Sequence, residues 1–407
     1  MKKICTVYIL FLICFSLFAY PVTDIEFVGL KRTKSSYIQS VVSRFLNTDS
    51  NNLDLNEVET VLKQQNLFSQ IRMELSENKS AKTAKLTINV KEKISFIPMP
   101  FLMYANKGFS GGAVLMDQNA FGMKNTFMVG GIFSKDDAVV MAGFSKASVD
   151  ASNAGFSFFG SYGKQKISIR TLNNKAKDLV SCQKLNFNFS VNTKPIPGLY
   201  VNFATNYTGY FKQQFEYMYG ITRPLNDANQ VVFSPSARYS KADWNGVFLN
   251  ESYAEVNCDF GWATGDEIVL GAMVRGVYQK AIIPKLRWSV AIGASVEKNK
   301  YLLNQRTRQV FSNAIIPAAF YSDKIAAASL NLEGAVYKSE IFTLSLYGSY
   351  QGIAVKDYDG CGVFMHGIGG GARVYLEKIS FPACSAGWYY NFSKDISQFA
   401  ISMGMSF

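Results

Sequence analysis

The chain ends in Gln398-Phe399-Ala400-Ile401-Ser402-Met403-Gly404-Met405-Ser406-Phe407, where small or polar residues alternate with large apolar residues. Successive side chains of a β-strand point to opposite faces, so this segment predicts a strand with one large apolar face. The apolar face carries Phe399, Ile401, Met403, Met405 and Phe407. A soluble sheet covers such a face with a helix or a second sheet. A membrane β-barrel turns it towards lipid and keeps the small polar face for the lumen.

The same alternation recurs throughout residues 96–407, in short segments separated by Gly, Asn, Asp, Ser and Lys. Val256 and Phe260, for example, alternate with Glu255 and Asp259, and charges on the second face suit a wet lumen. Strands of about 9–11 residues fill this region with roughly 16 strands, or about 12–14 if the loops are longer. We therefore predict a mostly β fold, a transmembrane antiparallel β-barrel. A soluble sandwich or propeller is the alternative, but it needs covering elements that the pattern lacks.

The composition agrees with a membrane barrel. Aromatic residues make up 14% of the chain and charged residues only 18%, whereas the mean hydropathy of +0.03 is too low for a helical membrane protein. The net charge of +12 is not gathered in a basic, aromatic-interleaved patch, which argues against nucleic-acid binding. A basic lumen, or basic loops facing anionic membrane lipids, accounts for the excess of basic over acidic residues.

The N-terminus predicts an exported protein. Lys2 and Lys3 precede an apolar run over residues 9–18, and Ala19 is a plausible end for a signal peptide of residues 1–19. A membrane anchor is the alternative, although the run is too short to span comfortably. An exported chain can form disulfides, but the pairing of Cys182, Cys258, Cys361 and Cys384 cannot be deduced from their spacing. Without a Cys-x-x-Cys pair, and with a single histidine, we expect no metal site and no cofactor.

Residues 21–94 predict a small α/β domain with the order strand, helix, helix, strand, strand. Asp54 stands where a helix N-cap is expected, with Glu57 three residues later. This pattern resembles a POTRA domain, the periplasmic module of outer-membrane assembly and two-partner secretion proteins. The resemblance implies that an edge strand binds client polypeptides, with Ile25 and Phe27 on one candidate edge. Ile71 and Met73 mark the other candidate edge.

Two glycine-rich segments resemble BamA-type barrels. Residues 109–122 are similar to the first hairpin of that family, with a turn motif formed by Asp117, Asn119, Phe121 and Gly122. Residues 367–374 are similar to its penultimate hairpin. In this family the first and last strands meet at a weakly paired seam, and the resemblance assigns that seam to Gly111, Gly112, Phe399, Ile401, Gly404 and Phe407. An ordinary hairpin turn, and tight packing in a narrow lumen, are the alternatives. The resemblance also favours 16 strands.

The BamA family carries a Val-Arg-Gly-Phe or Val-Arg-Gly-Tyr motif in a loop that folds into the lumen, where its arginine braces the wall. Arg308 is the better match because its position among the predicted strands fits that of the loop. Arg275 is the alternative because the residues around it are closer to the motif. Gln309 replaces the motif's glycine. Residues 346–352 also lack the acidic residue that the family places opposite the arginine, and an arginine buried without a counter-charge is costly.

An enzymatic function is not expected. Some outer-membrane barrels are hydrolases, but a hydrolytic triad needs a base near its nucleophile. His366 is the only histidine, and no Gly-x-Ser-x-Gly motif occurs. The glycine cluster precedes no helix, so it is not a phosphate-binding loop either.

The resemblance thus implies a single-POTRA barrel of the bacterial surface antigen type, in the bacterial outer membrane with its POTRA domain in the periplasm. Its expected role is to insert or fold other outer-membrane proteins. Unfolded outer-membrane or secreted polypeptides, membrane lipids and accessory periplasmic or lipoprotein subunits are the expected partners. A two-partner secretion pore, and a porin or surface antigen with a residual POTRA domain, are the alternatives.

Overall fold

The computed structural model describes residues 20–403 except for residues 66, 79, 106–107, 147–153, 171–175, 219–227, 246–247, 266, 299–314, 317–319, 321, 340–341, 357–361 and 377–381. The expected signal peptide therefore lies outside the described residues. The chain divides into two compact units, of which the first contains residues 1–97 and 116–127. The second contains residues 98–115 and 128–407.

The first unit has the order of elements that the sequence predicted. Its elements are β1 (Val22–Val28), α1 (Ser35–Val42), two short 3₁₀ turns (Ser43–Phe45 and Ser50–Asn52), α2 (Leu55–Gln64), β2 (Phe68–Asn78) and β3 (Thr83–Glu92). The carboxylate of Asp54 accepts hydrogen bonds from the amides of Asn56 and Glu57. It satisfies two amides that the start of α2 leaves without intrahelical partners, as the N-cap spacing predicted.

The three strands form a sheet in the order β1-β3-β2, so β1 and β2 are its two edges. β1 is parallel to β3 and β3 is antiparallel to β2. Ile38 of α1 and Leu62 of α2 are completely buried with Leu86 and Ile88 of β3 in one cluster. The two helices thus bury the apolar face that the alternating residues of the strands create.

In the part of the chain that the structure describes, sixteen further strands close into a barrel, which confirms the predicted fold and strand number. They are β4 (Phe96–Ala105), β5 (Gly108–Ala120), β6 (Asn125–Ser134), β7 (Ala138–Lys146), β8 (Gly155–Arg170), β9 (Ala176–Ile196), β10 (Leu199–Met218), β11 (Ala228–Asn245), β12 (Phe248–Ala263), β13 (Glu267–Ile283), β14 (Leu286–Lys298), β15 (Lys324–Lys338), β16 (Phe342–Lys356), β17 (Gly362–Leu376), β18 (Pro382–Asn391) and β19 (Ile396–Met403). Among the described residues, no helix is long and apolar enough to cross a membrane.

The strands alternate between an apolar exterior and a more polar interior. On β15, Leu330 and Leu332 are 52% and 51% exposed, whereas Glu333 on the opposite face is 3% exposed. A soluble protein rarely leaves so many large apolar residues uncovered. The pattern is that of a membrane barrel with its apolar band outside.

The structure corrects the predicted position of the first barrel strand. β19 pairs with β4, with Ile401 opposite Tyr104 and Met403 opposite Leu102. Gly111 and Gly112 lie in β5, the second barrel strand, so their assignment to the seam was wrong. β4 was not predicted because its apolar run does not alternate and contains Pro98 and Pro100. Proline lacks an amide donor and is tolerated in strands mainly at edges.

Candidate functional site

The seam between β4 and β19 is the first candidate site. The described register joins Ile401, Ser402 and Met403 to Tyr104, Met103 and Leu102. Phe399 and Ile401 are exposed on the outer face, as expected for lipid-facing residues at this edge. Gly404 and Phe407, the other predicted seam residues, lie outside the described residues.

A buried ionic cluster on the lumen wall is the second candidate site. Arg287 of β14 and Arg373 of β17 both donate to Oε2 of Glu333, at 2.6 and 2.7 Å. The hydroxyls of Ser345 and Tyr375 donate to Oε1 at 2.6 and 2.7 Å. Three strands, β14, β16 and β17, therefore supply donors to a carboxylate of β15, and each of its oxygens has two donors.

Strand register explains how this cluster assembles. Glu333 lies directly opposite Arg287 on one side and Tyr347 of β16 on the other. Arg373 reaches Glu333 across the ring of Tyr347, whose centroid is 4.0 Å from the guanidinium carbon. A carboxylate buried without such partners would be strongly unfavourable, and charge-assisted hydrogen bonds offset that penalty.

The cluster borders a polar cavity of about 300 Å³, which Arg275, Arg287 and Arg373 all line. Arg275 lies in the middle of β13, so it is a wall residue and not the loop arginine for which it was the alternative. Its guanidinium carbon is 5.5 Å from the ring centroid of Tyr253. Arg308, the preferred candidate for the loop arginine, lies outside the described residues.

Glu333, Arg287 and Arg373 were not predicted from the sequence. Residues 346–352 contain no acid, as noted above, and the acidic wall residue lies one strand earlier, on β15. The alternation of Leu330 and Leu332 with Asn331 and Glu333 was the available signal, because it places a carboxylate on the lumen face. The arginines that meet this carboxylate are 46 and 40 residues away in sequence.

The glycine-rich strand β17 provides space for aromatic rings in the lumen. A Cβ atom on Gly369 would overlap the ring of Tyr389, and one on Gly387 of β18 would overlap the Tyr347 hydroxyl. The Tyr347 and Tyr389 hydroxyls are hydrogen-bonded to each other at 2.7 Å. These contacts favour tight lumen packing as the reason for the glycines, the alternative left open by the sequence.

The predicted turn motif forms a tight turn within the first unit. Phe121 and Gly122 have φ angles of 60° and 70°. Asp117 pairs with Arg32 at 2.7 Å, and the side-chain amide of Asn119 donates to the Thr33 hydroxyl at 2.9 Å. The motif therefore supplies both the turn and the groups that hold the segment after β1.

Glu92 fixes the same segment from the other side. Its carboxylate accepts hydrogen bonds from the amides of Arg32 and Thr33, at 2.9 and 2.8 Å. Partial burial acts to raise the pKa of Glu92, but these bonds, with those from the Thr33 hydroxyl and the Lys31 amide, hold the pKa below its ordinary value. The ionised carboxylate is thus the form that the folded unit favours.

The predicted client-binding residues lie on the two edge strands, with their side chains turned to the core. Ile25 is 4% exposed, and Phe27, Ile71 and Met73 pack against the same cluster. Any β-augmentation here therefore depends on main-chain groups. The start of β1 is already occupied, because Val22 exchanges backbone hydrogen bonds with the segment at Asn47 and Thr48. In the described part of this unit, β2 is the other edge of the sheet.

Fold and lumen together define an outer-membrane-type β-barrel with a small α/β unit. No family model and no curated protein matches the sequence. Among solved structures, BamA from Haemophilus ducreyi lacking POTRA domains 1–3 matches with a TM-score of 0.66 and 12% identity over 95% of this chain and 85% of that chain.

CdiB from Acinetobacter baumannii matches with a TM-score of 0.60 and 10% identity, over 95% of this chain and 74% of that chain. CdiB from Escherichia coli matches with a TM-score of 0.59 and 10% identity, over 95% and 91%. BamA and CdiB are members of the Omp85 superfamily. The chain thus has the fold of these barrels, as the resemblance in its sequence predicted.

Proposed function

We propose that this protein resides in the bacterial outer membrane and assists the insertion of other outer-membrane proteins. The seam between β4 and β19 carries the proposal. Tyr104 of β4 lies opposite Ile401 of β19, and Pro98 and Pro100 remove amide donors from β4. Unpaired backbone groups are expensive in lipid, so a seam that lends its edges to a client strand lowers the barrier to insertion.

The first unit acts as a single POTRA domain in the periplasm and captures unfolded polypeptides by β-augmentation. β1 and β2 are the two edges of the sheet, and the segment at Asn47 and Thr48 already occupies the start of β1. β2 is therefore the favoured edge. Main-chain hydrogen bonds give such binding affinity without strict sequence selection. Accessory periplasmic or lipoprotein subunits would join on this side of the membrane. The role requires no cofactor and no enzymatic chemistry.

A polypeptide-secretion pore is the second candidate, because the CdiB structures match nearly as well as the BamA structure. Depletion of the protein separates the two roles. Loss of many outer-membrane proteins from the quantified membrane proteome supports insertion. Loss of one secreted protein from the medium, with an unchanged membrane proteome, supports export. If neither changes, a porin or surface-antigen role replaces both.

A crosslink tests the seam itself. Cysteines at Tyr104 and Ile401, which are directly opposite across the seam, would lock β4 to β19. Cysteines at Trp388 and Phe399 provide the matched control, because they are opposite each other on β18 and β19, away from the seam. In a background without the native cysteines, we expect the seam crosslink to block client insertion and the control crosslink to leave it intact. Full function with both crosslinks would contradict an opening seam.

A further inference from the structure

We propose that a groove on the outer face of the barrel binds an anionic lipid, with a phosphate monoester of the lipid at a rim of lysines and its acyl chains in the groove. Such binding is separate from the insertion role and rests only on the proposed residence in the outer membrane. This outer groove has a volume of about 880 Å³, within the range of about 300–1,000 Å³ that is usual for ligand sites. Its lining includes Ile292, Ala294, Ala326, Ala328, Ala354 and Phe364.

Small side chains form the floor of the outer groove. On β15, the exposed residues Ala326 and Ala328 occupy the first half of the outward face. Leu330 and Leu332 occupy the second half of the same face. On β16, the exposed Ala354 lies directly opposite Ala326. The depression is therefore confined to the half of these strands where β15 begins.

Large side chains border the floor on both sides. Ile292 of β14 is 58% exposed and lies opposite Ala328. Phe364 of β17 is 65% exposed and lies opposite Ala354. A flexible acyl chain can follow a depression between protruding side chains, which a flat protein surface cannot enter. The shape of the groove thus favours a lipid as its occupant.

Three lysines form a basic rim at one end of the groove. Lys298 ends β14, Lys324 begins β15 and Lys356 ends β16. Lys324 precedes Ala326 by two residues on the same outward face, a step of about 7 Å. Val296 lies opposite Lys324, so Lys298, two residues further along that face, is a diagonal neighbour at about 7–8 Å.

The fold holds these like charges close together. The Ser322 hydroxyl accepts hydrogen bonds from the main-chain amides of Lys324 and Lys356, both at 3.2 Å. Among the described residues, Asp323 pairs with Lys356 at 3.9 Å. The side chains of Lys298 and Lys324 have no ion-pair partner in that part of the chain.

A bound phosphate would relieve the repulsion at this rim. Neighbouring like charges on one face of a sheet are destabilising. A phosphate monoester carries a charge of about −1.5 to −2 near pH 7, which matches two unpaired ammonium groups. Ionised partners also make stronger hydrogen bonds than neutral ones. The rim therefore favours a phosphate monoester over a zwitterionic headgroup.

Strand direction places the rim at the outer leaflet of the membrane. β4 is antiparallel to β19, and the strands from β19 back to β14 are antiparallel to one another in turn. β14 therefore runs in the direction of β4, and Lys298 lies at the end of the barrel opposite to Phe96, where β4 begins. Because the proposed function puts the first unit in the periplasm, the rim meets the headgroups of the outer leaflet.

Native mass spectrometry of the full-length protein in detergent micelles measures the binding. The probe is bis-phosphorylated lipid A, which carries phosphate monoesters and several acyl chains. Phosphatidylglycerol, a phosphodiester, and phosphatidylcholine, which has no net charge, are the comparison lipids. We expect lipid A to bind most tightly. Equal binding of lipid A and either comparison lipid overturns the proposal.

Removal of two rim charges tests the headgroup contact. Lys298→Gln with Lys324→Gln should weaken lipid A binding roughly thirtyfold, from the usual contribution of each lysine at an anionic lipid surface. Lys241→Gln with Lys280→Gln is the matched control, because it removes two exposed lysines near the other end of the barrel. The control should bind as the wild type does. An equal loss in both pairs would mean general charge attraction and no site.

Filling the groove tests the acyl-chain contact at constant charge. Ala326→Leu with Ala354→Leu should weaken lipid A binding severalfold. Leu330→Phe with Leu346→Phe is the control, because it enlarges exposed residues of the same two strands outside the groove. Undiminished binding in the groove variant overturns the proposal.

Heat-modifiable migration in gels establishes that each variant is folded, and Ala326→Leu alone replaces the groove variant should the pair not fold. The lipid site and the insertion role have separate readouts. Failure of lipid A binding leaves the insertion role standing, and an unchanged membrane proteome after depletion leaves the lipid site standing.

Discussion

Arg373 and Glu333 form an ion pair at 2.7 Å inside the barrel, although β16 separates their strands. The pair spans this strand because the guanidinium of Arg373 lies over the ring of Tyr347. Arg287 meets the same carboxylate from the opposite side at 2.6 Å. The lumen wall thus contains its own counter-charges, which makes it a fixed part of the scaffold.

Replacing Glu333 with glutamine should destabilise the barrel. The variant keeps the size of the side chain but removes the charge that neutralises Arg287 and Arg373. We expect the free energy of unfolding to fall by about 1–3 kcal/mol, because two largely buried guanidinium groups lose their partner. Urea unfolding in detergent micelles, followed by tryptophan fluorescence, measures the change.

Glu251→Gln is the control for this prediction. Glu251 pairs with Arg238, but the two side chains are 20% and 40% exposed, so solvent screens their interaction. We expect a loss below about 1 kcal/mol. An equal loss in both variants would mean that the Glu333 cluster contributes no more than an ordinary surface pair.

Alternation along the strands was enough to predict the barrel, because lipid on one side and water on the other impose a period of two residues. The alternation did not predict two features of the structure. Pro98 and Pro100 broke the pattern of β4, so the first strand and the seam were placed one strand too late. The Glu333 cluster depends on the register of four strands, which short-range sequence patterns do not encode.

Gly122→Ala should loosen the turn that holds the segment after β1. Gly122 has a φ of 70°, and an added Cβ would overlap the carbonyl oxygen of Arg32. The left-handed backbone alone costs an alanine about 1–2 kcal/mol, and the overlap adds to it. Hydrogen exchange of the Lys34 amide, which donates to the Gly122 carbonyl, reports the loss.

Gly265→Ala separates the two contributions to this effect. Gly265 has a φ of 87°, but a Cβ there would meet no atom within 4 Å. We expect this variant to show the backbone penalty alone, seen as a modest fall in the urea midpoint. If both variants lose the same stability, the contact between Gly122 and Arg32 has no energetic role.

The segment at Arg32 and Thr33 should loosen in acid. The pKa of Glu92 is lower in the folded unit than its ordinary value, so the ionised form stabilises this unit above that ordinary pKa. The stabilisation is lost as the pH falls through the lowered pKa. We therefore expect exchange of the Arg32 and Thr33 amides, corrected for intrinsic rates, to speed up as the pH falls below about 4.3, the ordinary pKa of glutamate.

Glu92→Gln should remove most of this pH dependence and leave exchange fast throughout, because an amide group accepts these bonds more weakly than a carboxylate. Glu57→Gln is the control, since Glu57 pairs with Arg44 on the exposed surface of α2. It should leave the pH profile of the Arg32 and Thr33 amides unchanged. A wild-type profile in Glu92→Gln would rule out Glu92 as the titrating group.

Gly369→Ala tests whether the glycines of β17 serve the lumen or the seam. A Cβ at Gly369 would overlap the ring of Tyr389, so the Tyr347–Tyr389 hydrogen bond has to shift. We expect a loss of about 1–3 kcal/mol in the free energy of unfolding, the usual penalty for an overpacked interior.

Gly348→Ala on β16 is the matched control, because a Cβ there would meet nothing within 4 Å. Since alanine also restricts the unfolded chain, that control should be neutral or slightly more stable. Combining Gly369→Ala with Tyr389→Leu should recover part of the loss, because the smaller side chain frees the space. A loss of client insertion by Gly369→Ala without any loss of stability would instead assign the glycines to the seam.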